Sequence, residues 1–212
     1  VGIAEKFQKI DQKVLEQRGD LAKEGKDRTP RLEERWQKHI TELEERRTQR
    51  DTNLDGHFAK LEQRANTEVE IQAVAAFKTA VLGAIDARRA AVKAALDAFH
   101  SGVKSALEIR KTAIEKAFAD RAAAFKAAAE KAKSDCLAGT APKTVRTAFT
   151  SSLKSAQEKF AAARRANEDF KKAFEKLQAD KKAAFEEAHS DFRTVIEKAK
   201  VDLTRVMNSG LE

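Results

Sequence analysis

Apolar residues recur along the chain at spacings of three and four, with charged residues at nearly every turn between them. That period matches one face of an α-helix. Ala, Lys, Glu and Arg dominate where β-branched and aromatic residues would mark strands, and only 2 Pro and 8 Gly occur in 212 residues. The pattern predicts an all-α protein made of long helices.

Helix-terminating residues divide the chain into three arms, 1–65, 67–138 and 140–208. A capping box, Thr67-Glu68-Val69-Glu70, opens the second arm, and Gly139 suits a left-handed C-cap at its end. Each arm is about 100 Å long if straight, at 1.5 Å per residue. Arms of equal length predict one elongated domain over 1–212, an antiparallel coiled-coil-like bundle that runs up, down and up.

The first arm is interrupted at Gly25 to Pro30, where Thr29-Pro30 would end one helix and start another. We expect a kink or a short loop there. Its apolar stripe is narrow: Ile3, Phe7, Ile10, Val14, Leu21, Leu32, Trp36, Ile40 and Leu43. From Glu44 to Asp55 the stripe nearly vanishes, so this arm is expected to be the least securely packed.

The central arm carries an eleven-residue (hendecad) repeat. Its apolar rows are Val81, Val92, Val103, Ile114 and Phe125, and Ile85, Leu96, Leu107 and Phe118. Small residues form two more rows, Ala80, Ala91, Gly102, Ala113 and Ala124, and Ala84, Ala95, Ala106, Ala117 and Ala128. Eleven residues in three turns is about 3.67 per turn, so the stripe runs straight or drifts gently right-handed. The small rows predict close approach of a neighbouring helix.

The third arm has an apolar face rich in Phe, which we expect to pack on the central arm. That face comprises Phe149, Leu153, Ala156, Phe160, Ala163, Phe170, Phe174, Leu177, Phe185, Ala188, Phe192, Ile196, Ala199 and Leu203.

Three arginines, Arg88, Arg110 and Arg121, lie in the middle of the central stripe, in the row that also holds Phe77 and Phe99. A buried guanidinium without a partner would cost several kcal/mol. If the hairpin turns at Gly139, Arg88 falls opposite Asp191 and Arg110 opposite Asp169. We therefore predict an acidic partner within one helical turn of those positions, while Asp11 is a candidate partner for Arg121.

The net charge is +8, but basic and acidic residues are interleaved, which is typical of a solvated helix surface. A nucleic-acid site would need clustered basic residues with stacking aromatics, and Tyr is absent. The chain has no run of 18 apolar residues. It begins at Val1 without Met and ends in Leu211-Glu212, so we expect a processed or truncated product.

Candidate chemistry is sparse. Asp97-x-x-His100 and Glu186-x-x-His189 have the spacing of metal ligands on a helix, but the hairpin register separates them by about 15 Å. We expect solvent-facing histidines, a structural or incidental Cys136 and a core-packed Trp36. No phosphate loop, Cys-x-x-Cys pair or nucleophile elbow occurs. The sequence predicts no catalytic residue, no cofactor and no metal site, and hence no enzyme.

Three functions remain open. The first is a helical scaffold, spacer or protein-interaction module whose partner is protein, either a second copy or another chain. The second is an amphipathic binder of anionic lipid or membrane surface, favoured by the hendecad repeat and its Lys-rich flanks but opposed by the embedded arginines. The third is a non-specific nucleic-acid binder.

The segment from Cys136 to Phe149, CLAGTAPKTVRTAF, lies between Ala/Lys-rich helices. In this respect the chain resembles Ala/Lys-rich helical, exported proteins of candidate-phylum bacteria over its last two arms. The resemblance implies no activity, and it implies a location in the cell envelope or outside the cell.

Overall fold

The structure is a computed structural model that describes the backbone of residues 3–163 and 166–209. Side chains are described for Gln12, Glu16, residues 30–162 and residues 168–208. These parts form four α-helices and no strand: α1 (Ile3–Glu62), α2 (Glu68–Leu137), α3 (Pro142–Ala163) and α4 (Ala166–Ser209). The prediction of an all-α protein is confirmed.

Pro30 lies inside α1, which continues on both sides of it. A proline removes one backbone hydrogen bond of a helix, and strong helix formers, Arg31, Leu32 and Glu33, directly follow this one. The expected short loop therefore does not form, while a kink at Gly25–Pro30 stays a prediction. The side chains of Ile3, Phe7, Ile10, Val14 and Leu21, and that of Asp11, lie outside the described residues.

The turn between α1 and α2 is closed by the predicted capping box. The amide of Glu70 donates to Oγ1 of Thr67 at 3.2 Å, and the amide of Thr67 donates to Oε2 of Glu70 at 2.9 Å. The amide of Asn66 donates to the same carboxylate oxygen at 2.8 Å. These backbone hydrogen bonds, from Asn66 and then Thr67, hold the pKa of Glu70 below its usual value. The N-terminus of α2 is thus set by local sequence.

The turn between α2 and α3 is a Schellman motif. Gly139 has a φ of 76°, in the left-handed region, as predicted for a C-cap glycine. Its amide donates to the carbonyl of Cys136 at 3.1 Å, and the amide of Thr140 donates to that of Asp135 at 3.0 Å. Pro142 then begins α3, where its missing N–H costs nothing.

The chain separates into two compact units. One comprises Val1–Leu32 and Val103–Glu175, and the other Glu33–Gly102 and Lys176–Glu212. A single domain over 1–212 stays a prediction. Each unit has its own core, and no polar or charged residue among the described side chains is fully buried.

In the first unit, small residues of α2 lie against aromatic rings of α3. Phe118 and Phe160 meet edge to face, with centroids 4.8 Å apart, beside Ala117. Nearer the turn, Val145 and Phe149 of α3 pack with two buried alanines of α2, Ala128 and Ala132. Alanines on α2 leave room for Phe on α3, so few large side chains suffice.

In the second unit, Phe58 of α1 and Val74 of α2 are the most completely buried large side chains among the described residues. Phe58 also meets Phe77 edge to face at 6.3 Å. The other buried core residues of this unit are Val81, Ala84, Leu96, Ala188 and Ala199. Helices α1 and α4 therefore both bury apolar side chains with α2.

Gly102 is the position where a glycine of α2 permits close approach. A Cβ placed there would lie 2.5 Å from Cδ2 of Leu177 on α4. Gly83, by contrast, is exposed and would place its Cβ in open space. The close contact that the small-residue row predicts is thus present at Gly102.

We expect Gly83→Ala to stabilise the protein by about 1 kcal/mol, because Ala is the better helix former and meets nothing there. Gly102→Ala should gain less or lose stability, since its methyl group displaces Leu177. Urea unfolding followed by circular dichroism measures both. Equal stabilisation by the two substitutions would show that α4 does not approach α2 closely at Gly102.

Candidate functional site

In the second unit, cations of one helix rest on aromatic rings of another. Cζ of Arg88 on α2 lies 5.2 Å from the centroid of the Phe192 ring on α4. One repeat further along α2 the roles are exchanged, because Nζ of Lys181 on α4 lies 4.2 Å from the centroid of the Phe99 ring. All four side chains are half-buried. These distances are within the range of cation–π attraction.

The first unit repeats the arrangement with its own residues. Cζ of Arg110 lies 5.7 Å from the centroid of the Phe170 ring on α4. Cζ of Arg121 lies between two rings, 5.1 Å from that of Phe125 and 4.8 Å from that of Phe160. We call these pairs in both units the cation–aromatic contacts. They place each of the three embedded arginines of α2 on a Phe ring.

Arg88 and Arg110 rest on Phe192 and Phe170, the residues directly after Asp191 and Asp169, near which acidic partners were predicted. The predicted acidic partner of Arg110 stays a prediction. The predicted acidic partner of Arg88 is wrong, because Arg88 makes no ion pair within 4 Å with any described residue. Asp191 is exposed. Drawing it inward would have cost desolvation of a carboxylate, whereas a weakly hydrated guanidinium rests on a ring while its stem stays buried. Asp11, the candidate partner of Arg121, lies outside the described side chains.

A second cluster joins α1 to α2 around His100. The imidazole stacks on the indole of Trp36, with ring centroids 4.4 Å apart and planes 6° from parallel. Nε2 is buried and lies 3.3 Å from Oε2 of Glu33, at an angle that does not make a hydrogen bond. The expectation of a solvent-facing histidine is wrong for His100, whose side chain is 15% exposed. The reason is tertiary: α1 brings a large flat ring over it.

The stretch Glu44–Asp55 of α1, where the apolar stripe nearly vanishes, is joined to α2 by charge. Asp51 accepts a hydrogen bond from the Arg89 guanidinium, and both side chains are part-buried. This hydrogen bond, with attraction to Arg89 and Arg47, holds the pKa of Asp51 below its usual value. At the C-terminal end of α1, Nζ of Lys78 donates a hydrogen bond to Oε1 of Glu62 at 2.8 Å. Charged pairs thus occupy positions that apolar residues fill elsewhere.

The two metal-like motifs do not converge. Asp97 pairs with Lys93 at 2.6 Å while His100 faces Trp36. In the other motif, Glu186 lies 3.7 Å from Lys182, and His189 is exposed. Among the described residues no group of three His, Cys, Asp or Glu side chains could hold a metal ion.

The remaining candidate residues are at the surface. His39 and His57 are exposed on α1, and Cys136 is a free, exposed thiol at the end of α2. Trp36 is half-buried.

Within the described helices no stretch combines the length and apolar character needed to cross a membrane. Comparison of the chain with protein-family models, curated proteins and solved structures finds no match.

We expect Arg88→Met to lower the free energy of unfolding by about 0.5–1 kcal/mol, because it keeps the apolar stem and removes the charge above Phe192. Arg205→Met is the control, since Arg205 is exposed and pairs with Asp202 on its own helix. Urea unfolding measures both. In a Phe192→Leu background the effect of Arg88→Met should disappear, and an undiminished effect there would refute the ring contact.

We expect Asp51→Asn to destabilise the protein at neutral pH and to make little difference in acid. The folded-state pKa of Asp51 lies below its ordinary value of 3.8, so its contribution is present above that value and is lost as the pH falls through the folded pKa. Urea unfolding from pH 7 to pH 3 measures the difference from the unaltered chain. Asp180→Asn, whose carboxylate pairs within α4, is the control. A difference that is constant with pH would contradict the ion pair.

Proposed function

We propose that the chain is a non-enzymatic helical scaffold, spacer or protein-interaction module, built as an antiparallel coiled-coil-like bundle around α2. The observation that carries this proposal is the set of cation–aromatic contacts. They engage the middle of the α2 stripe and the Phe-rich face of α4 with each other. A face that is engaged within the chain is not free to lie on lipid.

The direction of these contacts supports the antiparallel arrangement. In the second unit, Arg88 and then Phe99 of α2 meet Phe192 and then Lys181 of α4. Residue numbers rise along one helix as they fall along the other. In the first unit Arg110 meets Phe170, and Phe118 meets Phe160, in the same sense. The residues that α2 contributes to these contacts, Arg88, Phe99, Arg110 and Arg121, lie eleven apart in the sequence.

The surface supports a structural role over a chemical one. Most ion pairs join residues three or four apart on one exposed helix face, which contributes to solubility and adds about 0.3–0.5 kcal/mol each at most. Large apolar side chains are exposed singly, as Val69, Ile71, Leu82, Ile109, Leu137, Val195 and Val201. The protein partner, a second copy or another chain, stays part of the proposal.

Binding of anionic lipid along the apolar face is the competing function. It would require α2 and α4 to separate and the arginines to enter the acyl layer, which is costly. Non-specific nucleic-acid binding has less support, because the rings that would stack on bases are half-buried on Arg and Lys side chains.

We expect strong helical circular dichroism in plain buffer, with an ellipticity at 222 nm that anionic vesicles do not increase. The helices bury each other's apolar faces, so no lipid is needed to form them. Small-angle scattering should give a maximum dimension of about 100 Å, the length of a helix of about 70 residues at 1.5 Å each. A spectrum that becomes helical only with vesicles would instead favour the lipid function, and a compact particle would refute the elongated bundle.

A further inference from the structure

The turn between α2 and α3 differs in charge and exposure from the rest of the surface. We call the segment Cys136–Pro142, with the flanking Lys133, Lys143 and Arg146, the α2–α3 tip. Leu137 is 81% exposed, more than any other large apolar side chain among the described residues. Except for half-buried Thr140, the rest of Cys136–Pro142 is exposed too, and none of it carries charge.

The cations of the tip lack the acidic partners found elsewhere. Lys133, Lys143 and Arg146 are exposed and form no ion pair with any residue that the structure describes. No Asp or Glu occurs from Cys136 to Gln157, although acidic and basic residues alternate in most of the chain. The nearest acid, Asp135, is half-buried and bound by Lys131 at 3.0 Å. The tip is therefore an apolar apex rimmed by cations.

Five backbone amides of the tip and of the first turn of α3 are hydrogen-bonded within the chain. The amides of Ala138, Gly139 and Thr140 donate to carbonyls of the last turn of α2, and those of Thr144 and Val145 donate to the carbonyl of Ala141. Pro142 has no N–H to satisfy. Because an unpaired backbone group in an apolar medium is costly, a turn with these amides satisfied internally enters an interface at lower cost.

The base of the tip is held by the core. Val145 and Phe149 are buried against Ala128 and Ala132 of α2, directly behind the turn. Leu137 is C-terminal to Lys133 by four residues, which places the two on one face of α2. The turn thus presents an apolar side chain and its neighbouring cations together, on a fixed support.

We propose that the α2–α3 tip docks on an anionic membrane surface, with Leu137 entering the headgroup region and Lys133, Lys143 and Arg146 contacting lipid phosphates and carboxylates. Charge complementarity is the argument for this partner, since juxtamembrane basic residues are attracted to anionic leaflets. A convex turn with one large apolar side chain is too small for a stable protein interface of about 800 Å² per partner. A single-stranded nucleic acid would need stacking rings, and the tip has none.

This docking leaves the cation–aromatic contacts in place, and so it goes beyond the scaffold function without replacing it. The lipid function weighed above would use the apolar faces of whole helices, whereas here only the turn meets lipid. The scaffold and the docking therefore fail separately: loss of helical structure in buffer would defeat the first, and absence of vesicle binding the second.

The test uses vesicles of phosphatidylcholine alone or with phosphatidylserine, and the full chain. Flotation of the unlabelled protein measures binding. The single Cys136, free and exposed within the tip, takes an environment-sensitive fluorophore that reports insertion. We expect flotation with phosphatidylserine vesicles only, a blue shift of the fluorophore with the same vesicles, unchanged ellipticity at 222 nm, and loss of binding in high salt, which screens the attraction.

The variant Leu137→Gln, Lys143→Gln, Arg146→Gln should bind phosphatidylserine vesicles at least about tenfold more weakly, because two cations and the apolar apex are removed. Its control, Lys198→Gln, Lys200→Gln, Val201→Gln, removes the same charge and an exposed apolar side chain from α4. The control should bind as the unaltered chain does. Thermal unfolding should be similar for all three, since the altered residues are exposed.

Four results would overturn the proposal: no flotation with phosphatidylserine vesicles, flotation without a fluorophore shift, equal weakening by the control variant, or tighter binding to single-stranded nucleic acid than to vesicles. The second and third would assign lipid binding to another surface. The fourth would assign the cations of the tip to a nucleic-acid partner.

Discussion

Half-buried cations resting on phenylalanine rings are the interaction on which both units depend. The chain has 12 Phe, and many residues of α2 are Ala. Helix α2 alone therefore lacks the large side chains that a continuous row of apolar contacts would need. Arg88 and Arg110 supply long apolar stems at those positions, and their guanidinium groups rest on rings of α4. At Phe99 and Lys181 the same kind of contact forms with the ring on α2 and the cation on α4. Because each cation faces a particular ring, these contacts fix how the two helices align, whereas a uniform row of apolar contacts would let one helix slide along the other.

The contacts of α1 with α2 follow a different principle. Near the capped turn they are apolar, through Phe58. Farther along they become an ion pair, Arg89 with Asp51, and then a stack, Trp36 on His100. An ion pair near the surface contributes little free energy, and salt weakens it. Stability along α1 is therefore expected to be uneven, because its interactions change in kind from one stretch to the next.

The two turns set the ends of the helices that they join. The capping box at Thr67 and Glu70 and the Schellman motif at Gly139 satisfy backbone groups locally. The turn at Gly139 has three amides bonded to the last turn of α2, and Cys136–Pro142 contains no acidic residue. The motif that ends α2 and begins α3 thus also leaves Leu137 81% exposed, beside cations without an ion pair among the described residues.

The sequence by itself determined the helical class, the capped start of α2 at Thr67 and the glycine C-cap at Gly139, because these depend on periodicity and on hydrogen bonds between near neighbours. It also predicted Arg88 and Arg110 near Asp191 and Asp169, and their contacts are with the adjacent Phe192 and Phe170. Tertiary structure alone decided what those arginines touch, whether Pro30 ends a helix, and that His100 lies under Trp36. Those outcomes depend on the desolvation of side chains that are distant in sequence, and a carboxylate such as that of Asp191 stays in water when a neighbouring ring can take the cation.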